Sequence, residues 1–307
     1  MKRRNYLFFF ICLLYLYACS IQVQGQDTSF SFFRKYGKEK LLIAGCGWNK
    51  VAVVDKRTGC LDWEHLLGKG EDCNDVELTK EKNILYAYTS GARLITPSQQ
   101  IVWDYEVKER EEELFTATQL SSGGYLLAIC GHPARIVELD SQGNPLKEIQ
   151  FETGIKRVHN QFRQIEKTRR GTYLVPLFAT GNLIEIDANG KIINQVQIGG
   201  TLFSIKQLKD GKLLVACGDG HKLVEVDTNI WQVVRTISSD DIRGVSLLFV
   251  AESCVYRKGR ILICNWNGHS GDKSQPKLVE IDHKNRIRWT LNDHGEVKNI
   301  SAVYPLP

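Results

Sequence analysis

One pattern recurs along most of this chain: a short apolar run, a break rich in Gly or Asn, a second apolar run that ends in Asp, and a turn. The clearest copies pair residues 125–130 with 136–140, 173–178 with 183–187, 213–217 with 223–227, and 261–264 with 278–282. Weaker copies begin at Leu41 and Ile84. The first runs therefore start about 44 residues apart, which is the length of a four-stranded propeller blade. We predict an all-β protein, a six-bladed β-propeller with four-stranded antiparallel blades.

The fifth copy shows how one blade is built. Its predicted strands cover residues 202–208, 213–217, 222–226 and 232–237, and Asp210-Gly211 suits the positive φ of a tight hairpin. The Glu of the third strand is expected to point into the gap between blades or toward a turn amide. The Asp that closes this strand is expected to accept hydrogen bonds from the backbone amides after it. It occurs at Asp55, Asp140, Asp187, Asp227 and Asp282.

The two ends of the repeat region complement each other. Residues 300–304 resemble an inner strand with no second strand after them, whereas the first copy, from Lys40, lacks an inner strand before it. Pairing of the tail with the head would complete the first blade and remove an exposed sheet edge. We therefore predict one propeller over residues 40–307, preceded by a linker over residues 26–39.

The first 25 residues have the features of a targeting segment. Residues 2–4 are basic, and residues 7–17 form an apolar stretch that is too short to span a bilayer comfortably. Residues 16–19 resemble a bacterial lipobox, in which Cys19 would be lipidated, while residues 23–25 offer an ordinary signal-peptidase site and an uncleaved anchor is a third reading. We predict a signal peptide over residues 1–25 and export to the periplasm, outer membrane or cell surface as a lipoprotein.

The charge of the chain is nearly balanced. The formal net charge is +5, and removal of the three basic residues at positions 2–4 leaves +2. No run of Lys and Arg follows the targeting segment, so we predict no nucleic-acid partner. Contact with a membrane is expected only through the lipid anchor, and the protein is expected to be a monomer.

Six of the nine cysteines fall into two groups. Four occupy the end of the second strand in their copies: Cys46, Cys130, Cys217 and Cys264. Small apolar residues at one repeated position indicate core packing, and because such positions are spread around a ring, we predict no metal site there. Cys60 and Cys73 flank one outer strand and could form a disulfide in an exported protein.

One blade motif resembles a known repeat. Residues 55–63 fit the pattern Asp-x-x-Thr-Gly-x-x-x-Trp, and Trp103 and Trp289 are placed like its tryptophan, Trp63. The pattern is similar to the PQQ-like, quinoprotein-type propeller repeat, in which the Trp docks between adjacent blades. That resemblance implies a structural repeat. No cofactor is expected, since the chain has no vicinal cysteine pair and no set of metal ligands.

A second resemblance concerns a possible site. Residues 159–163, His-Asn-Gln-Phe-Arg, stand before an inner strand and are similar to a feature of six-bladed arylsulfotransferase-like propellers. That family uses His and Arg residues at one mouth of the channel. His159 and Arg163 together suit a carboxylate or sulfate group, although the two could instead anchor a loop.

Candidate ligand-binding residues lie where the loops of a propeller converge on its channel mouth. They are Asn74, Asp75, His159, Asn160 and Arg163 before inner strands, and Trp48, Asn49, His132, His221, Trp266 and His269 in neighbouring loops. Trp48 and Trp266 could stack on a sugar or an aromatic ligand, or could cap blade edges. The three loop histidines belong to blades that are not all adjacent, so no metal site is predicted there.

Two functions remain open. The first is a binding or protein-interaction module for a small anionic or carbohydrate ligand or a protein partner. A mouth lined by Phe115, Phe203 and Phe249 without converging charges would favour the protein partner. The alternative is an enzyme of sulfotransferase, lyase or lactonase type, with His159 as acid and base and Arg163 as anion clamp. No nucleophile elbow or phosphate-binding loop favours a standard hydrolase or kinase.

Overall fold

A computed structural model describes residues 39–270, 272–292 and 297–307, which form six four-stranded antiparallel sheets arranged as a propeller. Blade 1 contains β1 (Lys40–Gly45), β2 (Trp48–Asp55) and β3 (Leu61–Leu66). Blade 2 contains β4 (Cys73–Leu78), β5 (Ile84–Tyr88), β6 (Gly91–Ile95) and β7 (Ile101–Glu106). Blade 3 contains β8 (Glu113–Gln119), β9 (Tyr125–Cys130), β10 (Ala134–Leu139) and β11 (Pro145–Phe151).

The remaining blades follow the same plan. Blade 4 contains β12 (Glu166–Lys167), β13 (Tyr173–Leu177), β14 (Asn182–Ile186) and β15 (Ile192–Gln197). Blade 5 contains β16 (Ser204–Gln207), β17 (Leu213–Ala216), β18 (Lys222–Asp227) and β19 (Gln232–Ser238). Blade 6 contains β20 (Val250–Tyr256), β21 (Arg260–Asn265), β22 (Leu278–Ile281) and β23 (Ile287–Leu291), and β24 (Ala302–Pro305) follows it. The predicted fold class is confirmed. Over the same ranges, no helix is long and apolar enough to cross a membrane.

The ring closes by pairing the end of the chain with the first blade. Strand β24 is antiparallel to β1, with Leu42 opposite Tyr304 and Ile43 opposite Val303, and the sheet order is β24-β1-β2-β3. The predicted closure is therefore confirmed. The inner strand of blade 1 comes from the far end of the chain, so this pairing satisfies backbone groups on both strands that would otherwise form open edges. The predicted targeting segment, including Cys19, lies outside the described residues.

The apolar core lies between blades. The second and third strands are buried on both faces because each sheet packs against the sheets before and after it. Leu85 and Leu94 of blade 2, for example, belong to one buried cluster with Leu127 and Val137 of blade 3. Burial on both faces explains why these strands read as continuous apolar runs instead of alternating with polar residues.

The cysteines largely follow their predicted roles. Cys130, Cys217 and Cys264 are fully buried in inter-blade clusters, whereas Cys46 is only half-buried and its thiol donates to Asp72 at 3.5 Å. Burial raises the pKa of the Cys130 and Cys217 thiols to about 12, so neither is a nucleophile at neutral pH. The two thiols of the predicted disulfide are free in the structure. Cys60 is exposed on the turn before β3, and Cys73 is buried at the start of β4.

Outer-strand tryptophans join neighbouring blades, as the resemblance to the quinoprotein-type repeat implied. The Nε1 of Trp289 donates to the backbone oxygen of Lys56 in blade 1 at 2.8 Å. Trp103 of blade 2 packs against Tyr125 of blade 3, with ring centroids 4.9 Å apart. Trp63 reaches from blade 1 to a backbone oxygen of blade 2. Trp63 and Trp289 thus join two sheets through an indole hydrogen bond, whereas Trp103 does so by ring packing.

Gly143 shows how closely one of these indoles fits. Its backbone has a φ of +87°, and a Cβ at this position would meet Trp103 Cγ at 2.9 Å. Only glycine combines that conformation with the absence of a side chain. The turn after β10 can therefore close directly onto the indole of the preceding blade.

The closing aspartates act as turn residues. The carboxylate of Asp187 accepts hydrogen bonds from the amides of Asn189 and Lys191, at 2.8 and 3.0 Å. Asp282 does the same with Lys284 and Arg286, at 2.8 and 3.1 Å. These amide bonds favour the ionised form and hold the pKa of Asp187 below its usual value. The expectation that each closing Asp orders its own turn is confirmed.

The repeated Glu of the third strand reaches across the gap between blades in two of the copies. Glu138 of blade 3 accepts hydrogen bonds from Lys167 and Tyr173 of blade 4, both at 2.5 Å. Glu280 of blade 6 is fully buried and pairs with Lys56 of blade 1, a lysine that is itself buried. The pair formed by Glu280 and Lys56 therefore crosses the seam at which the ring closes.

Removal of the Glu280 carboxylate should destabilise this seam. In a Glu280→Ala variant, Lys56 stays buried with only Glu39, 4.0 Å away, near its ammonium group. Loss of one partner of a buried ion pair costs about 3–5 kcal/mol, and we expect a loss of that size in the free energy of unfolding measured in urea.

Glu225 provides the matched control, because it occupies the same strand position in blade 5 but pairs with the part-exposed Arg235 at 2.7 Å. Glu225→Ala should cost less than about 1 kcal/mol. Equal decreases in the free energy of unfolding for the two variants would show that the pair of Glu280 and Lys56 stabilises the protein no more than an exposed pair does.

Candidate functional site

The six inner strands surround a central channel with two distinct parts. The upper mouth is the end at which the inner strands begin, and it is formed by Glu113, Phe115, His159, Arg163, Phe178 and Phe249. The lower channel is the part along and beyond those strands, and its polar lining includes Asp75, Glu77, Gln164, Glu166, Lys206, Glu252 and Arg257.

Arg163 lies at the centre of the upper mouth. Its side chain is buried, with only 4% of the residue exposed, and its guanidinium carbon lies 4.1 Å from the ring centroid of Phe115 and 4.3 Å from that of Phe178. The guanidinium plane is thus held between two aromatic faces, an arrangement that stabilises a desolvated cation. Arg163 leads into the two-residue strand β12, and the preceding 3₁₀ turn, Val158–Asn160, carries His159.

His159 links Arg163 to a carboxylate. Arg163 Nη2 lies 3.1 Å from His159 Nε2, and His159 Nδ1 lies 2.7 Å from Glu113 Oε2. Because a guanidinium can only donate, Nε2 must accept and the ring proton must sit on Nδ1, from which it is donated to Glu113. This assignment gives a neutral imidazole whose two nitrogens are both engaged.

The charge of Arg163 has no direct counterion among the described residues, since no described carboxylate oxygen lies within 4.0 Å of its guanidinium nitrogens. The Nη1 group donates to the backbone oxygens of His159 and Phe162, at 2.6 and 2.9 Å. With the Nη2 contact, these make three hydrogen bonds for five N–H groups. Burial lowers the pKa of Arg163, and the Glu113 carboxylate offsets only part of this cost through space. Buried cations are normally paired, so an unpaired one is an unusual feature.

Aromatic rings continue from Arg163 across the mouth. Phe178 lies 6.4 Å from Phe249, which in turn contacts Trp266 at 5.3 Å and Phe203 at 5.9 Å, measured between ring centroids. Phe115, Phe203 and Phe249 are nearly buried, so they do not form an exposed apolar patch. The mouth therefore combines an apolar wall with the charged groups of Arg163 and Glu113.

Trp266 and His269 close the far side of this wall. Their rings are 4.7 Å apart, and His269 Nδ1 lies 3.2 Å from the Asp219 carboxylate. The Nε1 of Trp266 is buried and has no hydrogen-bond partner among the residues that the structure describes. Trp266 is only partly buried, so a ligand could contact its ring. This position suits the sequence-based alternative in which Trp266 stacks on a ligand.

Trp48 and Asn49 lie elsewhere. Trp48 begins β2 with 3% of its surface exposed and belongs to the core cluster between blades 6 and 1, which favours the alternative that it caps a blade edge. Asn49 is exposed, and its backbone oxygen accepts from Leu67 at 3.0 Å. A stacking platform for a sugar at Trp48 is therefore incompatible with its burial.

The predicted residues Asn74, Asp75 and Asn160 serve the backbone or the lower channel. Asn74 donates to the backbone oxygen of Asp72 at 3.2 Å, and the backbone oxygen of Asn160 accepts from Ala179 at 3.1 Å. Asp75 lies deeper, in the lower channel. Asp75, a candidate for the channel mouth in the sequence, thus faces the lower channel.

The loop histidines do not converge. His132 contacts the backbone oxygen of Lys156 at 2.8 Å, His221 that of Leu248, and His269 the Asp219 side chain. Across the described ranges, no group of three His, Cys, Asp or Glu side chains could hold a metal ion. The three histidines hold their own loops in place.

The lower channel was missed by the sequence reasoning. Its carboxylates accept hydrogen bonds from the backbone of the next blade: Asp75 from Ala117 N at 3.1 Å, Glu166 from Gln207 N at 3.0 Å, Glu252 from Val303 N at 2.8 Å, and Glu77 from Gln119 N. The available signal was a polar residue at every second position of the inner segments, as in Asp75 and Glu77 or Gln164 and Glu166.

Crowding of these acids changes their protonation. Burial raises the pKa of Glu77 to about 7, and burial together with the charge of Glu252 raises that of Asp75 well above its usual value. Burial also raises the pKa of Glu166. Burial disfavours the charged form of Lys206, but Glu252 and Glu166, at 3.1 and 3.9 Å, outweigh it, and the pKa of Lys206 is raised. The channel thus holds a charged lysine beside three carboxyl groups with raised pKa values, those of Asp75, Glu77 and Glu166.

Comparisons with known proteins support the architecture. The profile of the Mal s 1 allergenic protein-like family (Mala_s_1-like) matches residues 46–286. A crystal structure of a protein of unknown function from Bacteroides caccae has 42% sequence identity and a TM-score of 0.84, over 88% of this chain and 99% of that one. No curated protein matches the sequence.

Two more distant structures share the fold alone. A catalytically inactive variant of virginiamycin B lyase from Staphylococcus aureus, solved with quinupristin, has 12% identity and a TM-score of 0.60, over 85% of this chain and 88% of that one. A chain of a nidogen/laminin complex has 12% identity and a TM-score of 0.60, over 86% and 97%. The resemblance to other propeller families is therefore supported for the architecture, whereas the matching profile belongs to a family other than the PQQ-like repeats.

The raised carboxyl pKa values predict that stability falls as pH rises. The folded protein keeps a proton on Glu77 between its ordinary pKa of 4.5 and its folded value of about 7, a range in which the unfolded chain has lost it. Between about pH 6 and pH 8, Glu77 should therefore contribute a decrease on the order of 1 kcal/mol in the free energy of unfolding. The measurement is urea unfolding at both pH values.

Glu77→Gln isolates this contribution, since an amide can replace the neutral carboxyl group. The variant should lose less stability over this pH range than the wild type does. Glu111→Gln, on an exposed loop, should keep the wild-type pH dependence. A Glu77→Gln profile parallel to that of the wild type would contradict the assignment.

Proposed function

We propose that this chain, which belongs to the Mal s 1 allergenic protein-like family, is a binding module whose upper mouth takes up a small molecule with a carboxylate or sulfate group. The observation that carries the proposal is Arg163. Its guanidinium is buried, is held between Phe115 and Phe178, and has no direct counterion among the described residues. An anion bound there would pair with the Arg163 guanidinium. Because this group is already removed from water in the folded protein, the cost of its desolvation would not arise again on binding.

The neighbourhood of Arg163 favours a ligand with an apolar or aromatic body. Phe178, Phe249 and Trp266 form a continuous wall leading away from the guanidinium. An anionic head at Arg163 would place the rest of a small molecule along this wall, where aromatic contacts add affinity. The ligand would approach beside His159 and His269, which are both exposed.

His159 argues for binding over catalysis in this arrangement. Its Nε2 already accepts a hydrogen bond from Arg163, and its Nδ1 proton is held by Glu113. A general base needs a free lone pair directed at the substrate. The enzyme alternative is retained because the pair of Glu113 and His159 resembles the carboxylate-oriented imidazole of many acid–base sites.

Export of this module rests on the sequence of residues 1–25, which lie outside the described ranges. We propose that the binding domain is held at a membrane surface by a lipid on Cys19. A Cys19→Ala variant should move from the membrane fraction to the soluble fraction when the protein is expressed in a bacterial host. An unchanged membrane fraction would remove the lipid from the proposal.

An anion-binding assay tests the proposed function. Benzoate and 4-nitrophenyl sulfate combine an anionic group with an aromatic body, and benzamide is the uncharged control. We expect titration calorimetry to show saturable binding of one of the anions and none of benzamide. In an Arg163→Met variant, which keeps an apolar stem between the two rings, affinity should fall at least about tenfold because the charge-assisted hydrogen bonds are lost.

Arg169→Met is the matched control, since it removes the same charge from an exposed turn at the other end of the inner strands. This variant should bind as the wild type does. Equal binding by Arg163→Met would overturn the proposal. Release of 4-nitrophenol from the sulfate ester by the wild type, and its loss in a His159→Gln variant, would instead support the enzyme.

A further inference from the structure

The lower channel contains more carboxylates than its own cations can neutralise. Four carboxylates, those of Asp75, Glu77, Glu166 and Glu252, face a cavity of about 420 Å³ together with Lys206 and Arg257, and Arg257 already pairs with Glu39 at 3.4 Å. Lys206 pairs with Glu252 at 3.1 Å and lies 3.9 Å from Glu166. Asp75 and Glu77 have no ion pair within the part of the chain that the structure describes. The buried Asp75 and the half-buried Glu77 are therefore without an ion-pair partner.

Gln164 supplies an independent sign of a missing hydrogen-bond donor. It lines the same cavity and is 2% exposed. Its Nε2 donates to the backbone oxygen of Asn74 at 3.1 Å and to Asp75 Oδ1 at 3.2 Å, which fixes the orientation of the amide. Its Oε1 is buried and has no partner among the described residues. A buried acceptor without a donor is costly, so this oxygen favours a ligand that donates.

The size and chemistry of the cavity select the kind of cation. A single water or ion needs on the order of 30 Å³, more than tenfold less than the space present. The described His, Cys, Asp and Glu side chains also form no group of three that could hold a metal ion. An ammonium group instead donates several hydrogen bonds in a flexible geometry, which suits scattered carboxylate and amide oxygens.

We infer that the lower channel binds a small organic amine in its ammonium form, between the carboxylates and Gln164 Oε1. The site is separate from the anion site proposed at Arg163, because it uses the opposite charge and different side chains. Lys206 is the resident cation that pairs with these carboxylates, Arg257 is engaged by Glu39, and the ligand supplies a further cation. The raised pKa values of Asp75 and Glu77 are consistent with this assignment, since a bound cation would favour their ionised forms.

Titration calorimetry with 1,4-diaminobutane tests the inference on the full chain, at constant ionic strength and about pH 8, where the carboxylates are most ionised. We expect saturable binding of the diamine and none of 1,4-butanediol, which has the same length without charge. Potassium and calcium chloride are the competing probes. Saturable binding of either metal ion with none of the diamine would overturn the inference, as would no binding of any probe.

Glu166→Gln is the first variant, because its amide oxygen can still accept from Gln207 N while its charge is lost. Its affinity for the diamine should fall by roughly tenfold, whereas Glu111→Gln on the exposed loop should bind as the wild type does. Unchanged affinity in Glu166→Gln would place the diamine elsewhere. The thermal melting point of each variant checks that it is folded.

Lys206→Met gives a second readout, the shift in melting temperature that the diamine causes. Each protein is compared with itself, so a lower stability of the variant does not affect the result. The variant leaves the four carboxylates of the channel with no lysine, so the diamine should raise its melting temperature by more than it raises that of the wild type. An equal or smaller shift would contradict the inference. Arg163→Met should bind the diamine normally, so a failure of the anion site and a failure of the amine site can be told apart.

Discussion

The inner strands of a propeller diverge around the channel, and their channel-facing amides cannot all be paired by a neighbouring strand. Buried amides must nevertheless find acceptors. In this protein, carboxylates supply them: Asp75 reaches Ala117 N, Glu166 reaches Gln207 N, and Glu252 reaches Val303 N, each in the next blade. The last of these bonds also holds β24, the strand that closes the ring. The acidity of the lower channel is thus a consequence of how the blades are joined.

The same constraint explains why the channel is polarised. Charged acceptors can remain buried only if protons or cations offset them, and Lys206 offsets part of that charge. At the upper mouth the arrangement is reversed, with a buried cation and no direct counterion among the described residues. The boundary falls between two consecutive residues, Arg163 and Gln164, which belong to the irregular segment before the two-residue strand β12. This segment is paired with β13 only through the isolated bridge between Phe162 and Leu177, and Arg163 turns to the aromatic mouth while Gln164 contacts Asp75.

The sequence was informative wherever a residue's role repeats from blade to blade. The paired apolar runs, the closing Asp of each third strand and the unpaired inner strand at residues 300–304 were enough to predict six blades and their closure. Which copies of a repeated residue are buried against a neighbouring blade was not visible in the sequence. Glu280 and Glu225 occupy the same position in the repeat, yet only Glu280 is fully buried against a lysine of the next blade. Trp48 likewise follows a glycine, as a loop residue would, but it begins a buried strand.

At the upper mouth, the hydrogen bond between Arg163 and His159 must break before His159 could act as a base. Arg163 now donates to His159 Nε2, so the imidazole has no free lone pair. An anion that takes up the Arg163 donors would release Nε2, while Glu113 would still hold the Nδ1 proton and keep the ring in the correct tautomer. Any acid–base chemistry by His159 therefore requires that the anion first bind to Arg163. Anion binding, in contrast, requires no chemistry, and it is the more economical function for this geometry.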